Sequence, residues 1–102
     1  MDLRQRKTLK ALRNAFLHIR AFKPLEKITV KELAESAEIS KATFYLHYKD
    51  IYDLSEQLQK ETVEYICAGI AHPDMIITDP AEFAKELFLA FQSQQTLIDI
   101  LF

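Results

Sequence analysis

The sequence predicts an all-α fold: three short helices with a tight turn between the second and third, then a long linking helix and the start of a further helical region. Three observations carry this expectation. Apolar residues recur at three- and four-residue spacing along most of the chain. One Gly and three Pro in 102 residues supply too few turns for many short strands. A helix-start residue stands before the later helical runs, at Thr29, Ser40, Asp50 and Asp79.

The first helix runs from Arg4 to Phe22. Leu9, Leu12, Phe16 and Ile19 make its apolar stripe, widened by Ala11, Ala15 and Phe22. Pro24 ends it, since proline lacks a backbone N–H and its ring disfavours the α conformation for Lys23. Thr29 caps the second helix, Val30 to about Ala37, and Glu32 three residues later completes a capping box. Val30, Leu33, Ala34 and Ala37 fall on one side of it. Glu38-Ile39-Ser40 breaks the run. Ser40 then caps a third helix over 41–48, which turns Phe44 and Tyr48 toward the core. Asp50 caps the long fourth helix, Ile51 to about Gly69, with Leu54, Leu58, Tyr65 and Ile66 buried. His72 to Asp79 reads as a loop. Asp79-Pro80 is a cap followed by proline at the first helical position, and starts a fifth helix that runs to about Gln92. SQQTLIDILF begins a sixth.

Composition narrows the function. Hydrophobic residues at 49% and charged residues at 27% are ordinary for a globular domain. The lone Cys67 forms no internal disulfide, which fits a reducing cytoplasm, and it reads as small apolar packing. The longest apolar run, Leu87 to Phe91, is far too short to span a bilayer, and the charged start MDLRQRKTLK is no signal peptide. His18, His47 and His72 share no metal-ligand spacing, so neither a metal nor a cofactor is expected. No glycine-rich phosphate loop or nucleophile elbow suggests an enzyme. The net charge of −2 hides an asymmetry: residues 1–49 hold eleven Lys/Arg against five Asp/Glu, and residues 50–102 two against ten. A basic half joined to an acidic half points to nucleic-acid contact through one end, or to two differently charged solvated surfaces.

The third helix favours the first of these. About eight residues are too few to hold a helix in water, so packing must stabilise it. With Phe44 and Tyr48 inward, Ala42, Tyr45, Leu46 and Lys49 face outward, flanked by Thr43 and His47. A helix braced by its predecessor and a tight turn, so that its outer side can enter a DNA major groove, is a helix-turn-helix. The side chains suit that task. Thr29 and Ser40 offer hydroxyls beside helix N-termini, Tyr45 and His47 can donate to phosphate oxygens, and Lys49 adds a charge. Lys41 can reach a guanine edge or a phosphate, and Ala42, Leu46 and the Thr43 methyl can meet thymine methyls.

ITVKELAESAEISKATFYLHYKDIYDL resembles the DNA-binding signature of the tetracycline-repressor family of bacterial regulators. Thr29, Val30, Leu33, Ala34, Ala37, Ile39, Ser40, Thr43, Phe44, Tyr45, His47 and Tyr48 match its pattern in order. The likeness covers roughly residues 4–70 and includes Ala15-Phe16 and the helix opening at Asp50. It implies a homodimeric regulator of transcription, a repressor, on a pseudopalindromic double-stranded DNA operator. Each protomer inserts its third helix into the major groove, and a C-terminal helical domain binds a small-molecule effector. Carried over, Tyr45 and His47 contact phosphates with Thr29 and Lys49, and Lys41, Ala42, Thr43 and Leu46 face base edges. On this basis residues 1–50 form the DNA-binding domain, with its motif at about 30–49, and residues 51–102 the linking helix and a partial dimerisation or effector region.

Three departures stand out. Glu38 occupies a turn position where the family usually has Gly, Ile51 one that often holds a phosphate-binding Lys, and the chain stops at Phe102 where family members continue. Phe83, Ala84, Leu87, Phe88, Leu89, Ala90 and Phe91 spread over most of the fifth helix, which therefore expects burial on nearly every side, as does LIDILF. Truncation or self-association follows from that. The competing reading is a helical protein-interaction module that has lost DNA binding.

Overall fold

The computed structural model describes residues 2–70 and 74–102, with all their side chains except that of Met75. Every regular element among them is helical: α1 (Leu3–Arg20), a single 3-10 turn (Leu25–Lys27), α2 (Val30–Ala37), α3 (Lys41–His47), α4 (Ile51–Ala68), α5 (Met75–Thr78), α6 (Pro80–Ser93) and α7 (Gln95–Leu101). The chain divides into two compact units. One runs to Leu58 and takes in Leu101; the other covers Gln59–Ile100 and Phe102.

In the first unit α1 packs on α2, and α2 on α3. Leu12, Ala15 and Phe16 of α1, Leu33 and Ala34 of α2, Phe44 of α3, and Leu54 and Leu58 of α4 are all buried, with Ile28, Tyr48 and Ile51 around them. Burying each large side chain contributes about 1.5–3 kcal/mol, and these residues, Ile28 and Ile51 apart, belong to the stripes that helical spacing picked out. Leu9, Ile19, Val30 and Ala37 are half-buried at the edge of the same core. Phe22 is not part of it. The helix closes at Arg20, and the Phe22 ring lies exposed beyond it, edge-on to His18 with centroids 5.8 Å apart.

The α2–α3 connection is a complete Schellman turn. Ile39 N–H donates to the Ala34 carbonyl at 2.9 Å and Glu38 N–H to the Glu35 carbonyl at 3.2 Å. That geometry needs a left-handed residue between helix and turn, and Glu38 supplies it at φ 59° and ψ 43°. The next helix is one residue shorter than its spacing suggests. Tyr48 is extended at φ −138° and ψ 147°, its N–H still bonded to the Phe44 carbonyl, so its ring reaches the core from a strand-like residue.

In the second unit three expectations are corrected. Tyr65 is 70% exposed; Thr62, Ile66 and Ile70 take the buried positions. Residues four apart advance about 40° around a helix, so a stripe that starts on Leu54 and Leu58 has rotated past Tyr65 by the fourth turn. Cys67 is likewise exposed. Within the expected loop, α5 forms a single turn against α6; His72 and Pro73 lie outside the described residues. The start of α6 is as expected, with the Asp79 carboxylate accepting from Glu82 N–H at 3.2 Å and Pro80 following the cap. No residue of α6 is fully buried, and Phe88 and Leu89 are exposed. Of the final segment, Leu101 is buried and Leu97, Ile98 and Ile100 are half-buried.

Candidate nucleic-acid interface

The outer face of α3 is built from beneath. Phe44 is wholly buried, and its ring meets Tyr45 edge-on at 5.3 Å and Tyr48 at 5.8 Å. Tyr48 in turn lies 6.5 Å from the His47 ring. The Tyr45 and His47 rings therefore rest against an aromatic pair that is buried in the core. Lys41, Ala42, Tyr45, Leu46 and Lys49 are all exposed, while Thr43 and His47 flank them half-buried. Leu46 is 80% exposed, a position for which burial in this chain offers no explanation.

The ends of the helices fix where this face points. Ser40 Oγ accepts from Thr43 N–H at 3.1 Å and lies 2.9 Å from the Thr43 hydroxyl, which orients both side chains at the entrance of α3. Thr29 stands apart from this set, exposed at the start of α2. Its Oγ1 accepts from Glu32 N–H at 3.1 Å, and Glu32 Oε1 accepts from Thr29 N–H at 3.0 Å, the reciprocal capping box. The second carboxylate oxygen of Glu32 takes the Lys23 ammonium at 2.8 Å. Lys23 and the Thr29 N–H together hold the Glu32 carboxyl below its usual range.

Sequence reasoning missed Asp53. Its carboxylate accepts from Lys49 N–H at 2.9 Å and from the Gln57 amide at 3.2 Å, which holds the group below the ordinary carboxylate range. Its own N–H donates to Asp50 at 2.8 Å, so Asp50 is the cap that the sequence suggested. The signal was present, since Asp50 and Asp53 have the same spacing as Thr29 and Glu32. The Lys23–Glu32 pair, nine residues apart, has no local signature. Ile51 is buried, so the residue at that position is packing and not a surface contact. Among the described residues no three His, Cys, Asp or Glu side chains gather as metal ligands, and no helix is long and apolar enough to cross a membrane.

The family described as bacterial regulatory proteins, tetR family, matches residues 21–58, the span from the end of α1 through α2 and α3 into α4. An uncharacterized HTH-type transcriptional regulator of Bacillus subtilis (strain 168), YxbF, is 33% identical over 85 residues. That alignment takes in 82% of this chain and 21% of the relative, so the chain spans about a fifth of the length of the curated protein it matches. No solved structure matches.

Proposed function

We propose that the protein regulates transcription by binding a double-stranded operator sequence-specifically, a reading supported by the match of residues 21–58 to the tetR family of bacterial regulatory proteins. In this reading α3 enters the major groove. Tyr45 and His47 donate to phosphates, with Thr29, Ser40 and Lys49 beside them. Lys41, Ala42, Thr43 and Leu46 read base edges. The protein acts as a repressor, two copies bind a pseudopalindromic site, and an effector acts through the helices that follow the head. Its work is binding, with no chemical step.

The observation that carries this is α3 itself: a seven-residue helix with Phe44 sunk in the core and Tyr45 and Leu46 left in solvent. Such a helix is too short to persist without its neighbours. Duplex binding measured against salt tests the reading. Each phosphate neutralised contributes about −0.9 to the log–log slope. The Tyr45→Ala/Lys49→Ala double variant is expected to weaken binding and to flatten that slope by about 0.9 per protomer. Affinity and slope both unchanged means that α3 does not face the duplex.

A second reading has its own observation. Ile77, Phe88 and Leu89 are exposed in the second unit, as suits a helical protein-interaction module. Tight binding to a helical partner, with no salt-dependent affinity for any duplex, favours it over the first.

A further inference from the structure

Lys49 lies in neither helix. It sits in the connection between α3 and α4, after the extended Tyr48, and no helical hydrogen bond of α3 fixes its backbone. A side chain in such a segment is aimed by whatever holds its main chain. Here the Asp53 carboxylate holds it, accepting the Lys49 N–H at 2.9 Å.

That carboxylate is itself fixed from two further directions. Its other oxygen accepts from Gln57, one turn on in α4, and the Asp53 N–H donates to the Asp50 carboxylate. Asp53 therefore ties the connection to the first turns of α4, and the anion lies at a helix N-terminus, where the backbone dipoles favour it. Its hydrogen bond to Lys49 is to the backbone N–H, and the ammonium acts on it only through charge, so the exposed side chain stays available to an outside partner.

We propose that Asp53 is a positioning residue for duplex binding: by gripping the Lys49 main chain it sets the direction in which the Lys49 ammonium meets a phosphate. This rests on the reading of α3 as a DNA-facing helix. It also separates Asp53 from an ordinary helix cap, which stabilises the fold without affecting what Lys49 does.

A double-mutant cycle distinguishes the two roles, because Lys49→Ala removes the side chain and leaves the backbone bond to Asp53 intact. The 102-residue chain is titrated, from low salt upward, with a duplex selected by the wild type from a random-sequence pool. Lys49→Ala is expected to reduce the log–log salt slope by about 0.9 per protomer in the wild type and in Asp53→Asn, which keeps an acceptor oxygen, and to leave it nearly unchanged in Asp53→Ala. Asp53→Ser, which keeps a helix-start residue but not the reach to Lys49, replaces the alanine variant if that does not fold. The same slope loss in the Asp53→Ala or Asp53→Ser background overturns the positioning role, as does no loss in Asp53→Asn. A wild type that binds no duplex at any salt overturns the regulator reading, and the positioning role with it.

Discussion

At the scale of single residues, two side chains sit under opposite constraints. Glu38 is the one described non-glycine residue with positive φ, and it is there because both turn-closing hydrogen bonds require it. A left-handed conformation with a Cβ costs about 1 kcal/mol, and glycine does not incur this. Glycine also gives the unfolded chain more freedom, which removes part of the gain. Glu38→Gly is accordingly expected to stabilise the protein by about 0.5 kcal/mol, read as a higher urea midpoint at unchanged m-value. Glu32 sits in a favourable place: Lys23 and the Thr29 N–H both favour its charged form, and its pKa is lowered. A lowered folded-state pKa means stability that is fully present above the unfolded value, about 4.3, and lost as pH falls through the folded value. The difference in urea midpoint between wild type and Glu32→Gln should thus be largest at neutral pH and shrink below about pH 4. A constant difference down to the acid limit excludes the linkage.

At the scale of the element, α3 sets one large apolar side chain inward and another outward. Phe44 is fully buried and Leu46 is 80% exposed, two residues further on. Phe44→Ala is expected to cost about 3–5 kcal/mol, because the cavity lies where α2 and α3 pack, and duplex binding goes with it. Leu46→Ala is expected to shift stability by no more than about 0.5 kcal/mol while altering which duplex is preferred. Chemical unfolding and selection from a random pool measure the two separately. Equal loss of stability in both variants removes the reason for an outward α3. This contrast was legible in the sequence because it depends on local rules: a cap at Ser40, helical spacing from Phe44 to Tyr48, a capping box at Thr29. What was not legible depends on packing, on the drift of a stripe around its helix, or on segments too short to carry a pattern. Tyr48 serves the core from an extended residue, since its side chain is held by packing and not by helix register. Tyr65 faces solvent because the buried stripe of α4 drifts around the helix. The one-turn α5 has no more than four residues with which to announce itself.

At the scale of the whole molecule, the two units present different surfaces to solvent, and each is described by its own chemistry. The basic balance lies before Asp50, with the helix-turn-helix, and a charge of that sign favours approach to a polyanion whatever the base sequence. The second unit is acidic and leaves apolar side chains uncovered, with Ile77 83% exposed and Phe88 65% exposed. Scattered exposed apolar residues are ordinary, but α6 has aromatic or leucine side chains at Phe83, Leu87, Phe88, Leu89 and Phe91 and no fully buried residue. The cost of leaving such a helix in water is relieved when a second apolar surface meets it. Sedimentation should accordingly show a mass that rises with protein concentration, and Phe88→Glu should suppress the rise because it sets a charge where apolar contact is needed. Circular dichroism should be unchanged in that variant, since a side chain this exposed contributes little to the fold of its own chain. Association that persists undiminished in Phe88→Glu places the contact elsewhere, and a wild type that stays monomeric at all concentrations means that half-burial of Phe83, Leu87 and Phe91 suffices to keep α6 in solution.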